Sequence, residues 1–368
     1  MSVPWNRKEV KVALAYLRLA ADRLDWTGAK QLFGLPGSGI AKGTRDRLAD
    51  AVDGGATALV AMRGADDLGV TGKALAGVRA DDVVNGQGLL WKVERDGVPA
   101  SYVFGTMHSP DGRVVALPNA VIRALTESET LVLEMRTTGE AGTAAAQALF
   151  QSMMLGDGRK LPEILSEDTF AAVAEALSEI GLPAPILEGI KPWGAYLLLM
   201  APRPDEKAAA AGEPIEVLDQ VLEAKAHDQN MTIAALETVQ DQIAVFSGMA
   251  EADVVELVRQ IVAAAEVEGV HAYIGTYYEA ITERYLAGDL AGILELSREQ
   301  LPNSDDGLHA RLMTRLIDDR NRRFAARLGE TLSAGSAFVA VGALHLPGEA
   351  GLVALLQAEG YRVTLVDG

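Results

Sequence analysis

Cysteine is absent from this 368-residue chain. Thiol catalysis, disulfide bonds and thiolate metal sites are therefore excluded together. Aromatic residues are scarce at 5%, so the 49% hydrophobic content rests on alanine, leucine and valine. That composition suits helices packed on a sheet, and the length allows one large domain or two. Positive charge is also short: 33 Lys and Arg stand against 51 Asp and Glu, a formal net charge of −18. Nucleic acid is not expected as a partner, because phosphate neutralisation needs clustered cations. The deficit is uneven, with residues 1–50 at +4 and the remaining 318 at −22.

Long apolar runs are missing too. No stretch reaches the ~18 uncharged apolar residues of a membrane span. The segment Val10–Leu24 is interrupted by Lys11, Arg18, Asp22 and Arg23. It reads as an amphipathic helix and not as the apolar core of a secretory signal. Its basic surroundings make contact with a membrane surface an expectation for this segment. There is no Gly-x-Ser-x-Gly elbow and no His-Glu-x-x-His, which leaves elbow-serine and zincin chemistry without residues. The loop Gly37-x-Gly39-x-x-x-Gly43 has the wrong spacing for a dinucleotide fingerprint, and Lys42 is not followed by Ser or Thr.

What the chain does contain is a repeated motif. Tyr102-Val103-Phe104-Gly105-Thr106-Met107-His108 and Phe338-Val339-Ala340-Val341-Gly342-Ala343-Leu344-His345 each run a short apolar segment into Gly-x-x-His. From 5 His and 37 Gly, about 0.5 such matches would arise by chance, so the strand context carries the signal. Apolar β-prone runs of this length read as buried strands. In parallel α/β sheets, functional groups gather at the carboxyl ends of strands. Two distant segments thus offer the same group at the same kind of place, which points to one shared site.

The remaining pattern predicts an α/β class with a mixed, partly parallel central sheet. Strands are expected at 89–94 and 101–104 around an Asp96-Gly97 turn, then at 130–134, 231–236, 336–341 and 361–366. Helices at 139–330 are too many for simple crossovers, so a large helical insertion (a cap) is expected there. A low-complexity loop is expected over 201–213. Residues 1–85 read as a helical N-terminal extension, with helices near 7–25 and from Thr44 to Gly54-Gly55; residues 86–368 form the main domain.

Three further groups could carry chemistry. Glu134 ends an aliphatic strand, where an ionised carboxylate needs a partner or a metal. If that strand lies beside 101–104, Glu134 sits near His108. His108, Glu134 and His345 would then suit a divalent metal such as manganese, cobalt or zinc, which could activate water. A helix cap or salt bridge is the plainer reading of Glu134. Glu237 repeats the pattern after Ala234-Ala235-Leu236, as a supporting carboxylate or a first-turn acid favoured by a helix dipole. Arg320-Asn321 could bind an oxyanion, or could belong to a solvated charged face with Asp318, Asp319, Arg322 and Arg323. His227, His271 and His309 lack strand-end context.

Several ordered pieces join these residues: Leu90-Trp91-Lys92-Val93, the first Gly-x-x-His run, Leu117-Pro118, Leu131-Val132-Leu133-Glu134, Lys191-Pro192-Trp193, Leu236-Glu237-Thr238, Tyr285-Leu286-x-Gly288-Asp289, Arg320-Asn321 and the second run. With them the chain resembles the TraB/GumN family, relatives of the TIKI-type metalloproteases, over about 89–368. The resemblance implies an α/β core with a helical insertion. It also implies a site of both histidines, the strand-end glutamate and the arginine. In TIKI-like relatives it implies divalent-metal-dependent peptide hydrolysis. Some members are tied to pheromone inhibition or polysaccharide gene clusters. Where the family often has Gly-x-Asp, this chain has Gly212-Glu213-Pro214-Ile215-Glu216-Val217-Leu218-Asp219, and no role is assigned to Glu216 or Asp219.

The leading expectation is a divalent-metal-dependent hydrolase of peptide or amide bonds, acting on a peptide or small molecule. His108, Glu134 and His345 would hold the metal or its water, and Arg320 would meet developing negative charge. One alternative is a protein that sequesters a peptide or glycan without turnover. Another is metal-free hydrolysis with a histidine as base.

Overall fold

The computed structural model describes residues 83–178, 182–201, 217–265, 269–299 and 306–366. The expected N-terminal helices, the Gly37–Gly43 loop and the 201–213 loop lie outside these residues. Among the described residues, no helix is long and apolar enough to cross a membrane.

The domain opens with a hairpin of β1 (Leu90–Arg95) and β2 (Val98–Thr106). Its Asp96-Gly97 turn needs a positive φ, which Gly97 supplies at 77°. Short helices α1 (Gly112–Val115) and α2 (Asn119–Thr126) lead to β3 (Thr130–Leu133). The chain then leaves the sheet through α3 (Gly139–Met153), α4 (Leu161–Ile164), α5 (Glu167–Ser178), α6 (Ala184–Gly189) and α7 (Pro192–Leu199). It returns through α8 (Leu218–Asp228) to β4 (Thr232–Ala235). A second excursion follows: α9 (Val239–Ser247), α10 (Glu251–Ala264), α11 (Val270–Leu286), α12 (Leu290–Glu299) and α13 (Asp306–Met313). A π-helical turn, Thr314–Asp318, joins α13 to α14 (Asp319–Ala334). Then come β5 (Ala337–Gly342), a 3-10 turn at Ala343–His345, α15 (Leu352–Ala358) and β6 (Arg362–Leu365).

The six strands form one mixed sheet, ordered β4-β3-β5-β2-β1-β6. β4, β3, β5 and β2 are mutually parallel; β1 runs against them, and β6, antiparallel to β1, runs in their direction again. The α/β class and partly parallel sheet are as expected. One placement differs. β3 does not lie beside β2, because β5 stands between them. The reason is in the residues: Ala337 to Val341 are all buried, as befits a central strand covered on both faces. Phe338 of β5 meets Phe104 of β2 with ring centroids 5.9 Å apart.

The helical insertion is likewise split, since β4 brings the chain back to the sheet midway. Each layer has its own core. The sheet, α2, α14 and α15 share one cluster around Phe104, Phe324, Phe338 and Leu328. The insertion buries a second around Trp193, Tyr196, Phe246, Leu257 and Ile261. Four parallel strands therefore end at one edge of the sheet, and that edge carries the site.

Candidate active site

The carboxyl ends of β2, β5, β3 and β4 deliver His108, His345, Glu134 and Glu237 respectively. Thr106 of β2 is in register with Gly342 of β5, so the two Gly-x-x-His turns are neighbours. Their glycines have steric reasons. A Cβ on Gly105 would lie 2.8 Å from Leu346 Cδ1 and 3.1 Å from Ala343 Cα. A Cβ on Gly342 would lie 3.2 Å from Glu134 Oε1. Bare backbone at Gly342 lets its N–H donate to that oxygen at 2.6 Å.

Arg320 forms the centre. It follows the π-helical turn on α14 and is 9% exposed; such turns recur at functional sites. Its five N–H donors are all committed inside the protein. Nε donates to Glu237 at 3.0 and 3.2 Å. Nη2 donates to Glu237 Oε2 at 2.8 Å and to Glu134 Oε2. Nη1 donates to the Leu316 carbonyl at 3.2 Å and meets His345 Nε2 at 3.1 Å. Glu237 is held also by Arg323 Nη2 at 3.0 Å. The solvated-face reading of Arg320 is thus corrected: it is the cation of a buried cluster, while Arg322 and Asp319 pair outside at 2.6 Å. Glu237 is more than a first-turn acid; it is Arg320's bidentate partner.

The tautomer of His345 follows from Asn321. The Asn321 amide Nδ2 donates to the Ala350 carbonyl at 2.8 Å, which turns Oδ1 toward His345 Nδ1 at 2.6 Å. Nδ1 therefore carries the proton, and Nε2 presents its lone pair to Arg320. Burial, reinforced by the Arg320 charge, pushes His345 down to about 4, so the ring is neutral at neutral pH. Burial pushes Glu134 the other way, but the Arg320 guanidinium outweighs it and holds the carboxyl at about 2.

His108 differs from its counterpart. Its side chain is 57% exposed, whereas His345 is buried. Nδ1 meets Asp219 Oδ2 at 2.8 Å, an ion pair off the line of a well-aligned hydrogen bond. Asp219 is itself buried in the first turn of α8, and its Oδ1 accepts from Thr106 Oγ1 at 3.3 Å. The Asp219 charge raises His108 to about 9, against the opposing effect of burial. Asp219 is the site residue without a role in the sequence reading. In the sequence it appeared only in the stretch Gly212 to Asp219, which stands where the family often has Gly-x-Asp.

The three expected metal donors can be tested against this geometry. His345 Nε2 and Glu134 Oε1 lie 3.5 Å apart, a separation two ligands of one ion could share. Arg320 Nη1 and Nη2 already face those two groups, and His108 turns Nδ1 to Asp219. Among the described residues, no group of three or more His, Asp or Glu has the arrangement of a metal cage. The residues as placed fit a guanidinium-centred cluster better than a three-ligand ion. Likewise Arg320, with every N–H engaged, has none left for a substrate oxyanion. Arg323, one turn on and 36% exposed in its side chain, has a single hydrogen bond among the described residues, from Nη2.

Fold and site together define an α/β protein whose polar groups converge at the carboxyl edge of a parallel sheet. The chain belongs to the TraB/PrgY/gumN family, whose model matches residues 89–365. No curated protein and no solved structure matches it.

Proposed function

We propose that the chain is a hydrolase of peptide or amide bonds in which His108, held by Asp219, is the working base. The observation that carries this reading is the asymmetry of the two histidines. One is buried, neutral and locked to Arg320; the other is exposed, paired with a buried carboxylate, and keeps Nε2 for a ligand. A carboxylate on Nδ1 orients an imidazole so that Nε2 can take a proton from water and return it to the leaving amine. The buried Arg320 cluster with Glu134, Glu237 and His345 would form a rigid support beneath the strand ends that carry His108. Arg323 would meet developing negative charge in place of Arg320.

A metal-dependent version rests on a different observation. His345 anchors Nδ1–H on a carbonyl oxygen, as metal-bound imidazoles do. Manganese, cobalt or zinc could enter only if Arg320 released Nε2 and Glu134. Incubation with a peptide library, with and without a chelator, separates the readings. Cleavage that survives chelation is expected. Cleavage that needs added metal would favour the second version, and binding without any cleavage would favour sequestration.

A further inference from the structure

Beside the Arg320 cluster, at the ends of β3 and β4, lies a pocket of about 400 Å³, within the size range of small-ligand sites. One wall is the alanine face of α3: Ala141, Ala144, Ala145 and Ala148. Their spacing puts them on one side of the helix. α3 buries only Gly142 and Met153, so this face contributes little to either core. Arg136 and Glu237 also line the pocket.

These two charges are not equally available. Glu237 is neutralised by Arg320 and Arg323. Arg136 donates through Nε alone, at 2.5 Å to Glu223, and its side chain is 32% exposed. Among the described residues, no hydrogen bond engages its two Nη groups. Glu223 is fully buried and accepts from the Thr137 and Thr138 backbone N–H groups, each at 3.2 Å. It therefore anchors Arg136 by one edge and leaves the Nη edge over. A fixed guanidinium edge is suited to bidentate contact with a carboxylate. A wall of alanines leaves room for small aliphatic groups and offers them apolar contact.

We infer that this pocket receives a carboxylate-terminated, small aliphatic end of the substrate, such as the C-terminal residues of a peptide, with the carboxylate on Arg136. The word substrate rests on the hydrolase reading; the binding does not. The test is calorimetric titration of full-length His108→Ala protein with N-acetyl-L-alanyl-L-alanine and with its C-terminal amide. The acid is expected to bind at least tenfold more tightly than the amide. Arg136→Gln should erase that difference. Ala145→Leu, which narrows the pocket from a half-buried position on α3 and leaves Glu223 untouched, should weaken both ligands at least tenfold. Equal affinity for acid and amide, no binding of either, or unchanged affinity in Ala145→Leu would overturn the assignment. Binding of the acid by a wild-type chain that cleaves no peptide would defeat the hydrolase reading and leave the pocket standing.

Discussion

Arg320→Met is expected to lower the unfolding free energy by about 3 to 5 kcal/mol, the scale for removing one partner of a buried ion pair. The size follows from what is left behind. Glu134 and Glu237 are both buried, and each loses its main cation at once. Arg323 still reaches one oxygen of Glu237, and Gly342 still donates to Glu134, but neither supplies the missing charge to both. Charge alone is not sufficient. Arg320→Lys should also lose most of this stability, because an ammonium has three donors on one atom and cannot span two carboxylates, a carbonyl and a ring nitrogen. Urea denaturation of the three proteins checks both statements. Arg320→Met combined with Glu134→Gln and Glu237→Gln should recover part of the loss, since the stranded charges are then gone. A stability change below about 1 kcal/mol in Arg320→Met, as for exposed pairs, would mean the cluster is solvated.

His108→Ala should have the opposite signature. Loss of a general base lowers kcat/KM by roughly 10²–10⁴-fold, while an exposed side chain removes little apolar burial. The denaturation midpoint should therefore move much less than in Arg320→Met. His345→Ala should cost both quantities. Its ring packs on Phe324 at a centroid distance of 5.0 Å, and its absence frees Arg320 Nη1 and Asn321 Oδ1. Steady-state kinetics and denaturation measured on the same preparations separate the two histidines. Equal kinetic and stability losses for both would contradict the asymmetry.

Much of this arrangement is legible in the chain. The strands were marked by apolar runs such as Phe338-Val339-Ala340-Val341, and the hairpin by Asp96-Gly97, because local period and turn chemistry set them. Glu134 stood out because an acid after Leu131-Val132-Leu133 demands a partner. The strand order was not legible. Whether β5 or β3 lies next to β2 depends on pairings across more than 200 residues, on which local pattern is silent. Arg320's role was obscured by its neighbours. Within Asp318-Asp319-Arg320-Asn321-Arg322-Arg323, the outward pair of Asp319 and Arg322 hides Arg320 and Arg323, which both reach the buried Glu237. Asp219 was hidden as well, since nothing local to Glu216-Val217-Leu218-Asp219 points to a histidine so distant in sequence. The partnership with His108 exists only once α8 is laid against β2.

The pH dependence of peptide hydrolysis tests the role of the His108–Asp219 pair most directly. His108 acts as a base when unprotonated, and Asp219 raises its pKa to about 9. The rate in the wild-type chain should therefore climb from neutral pH, pass its midpoint near pH 9 and level off only above it. In Asp219→Asn the main raising charge is gone, and the midpoint should fall from about 9 toward the ordinary imidazole value of 6.5. A wild-type profile that is flat from pH 6 to 9, or one that Asp219→Asn leaves in place, would contradict the assignment of His108 as the working base.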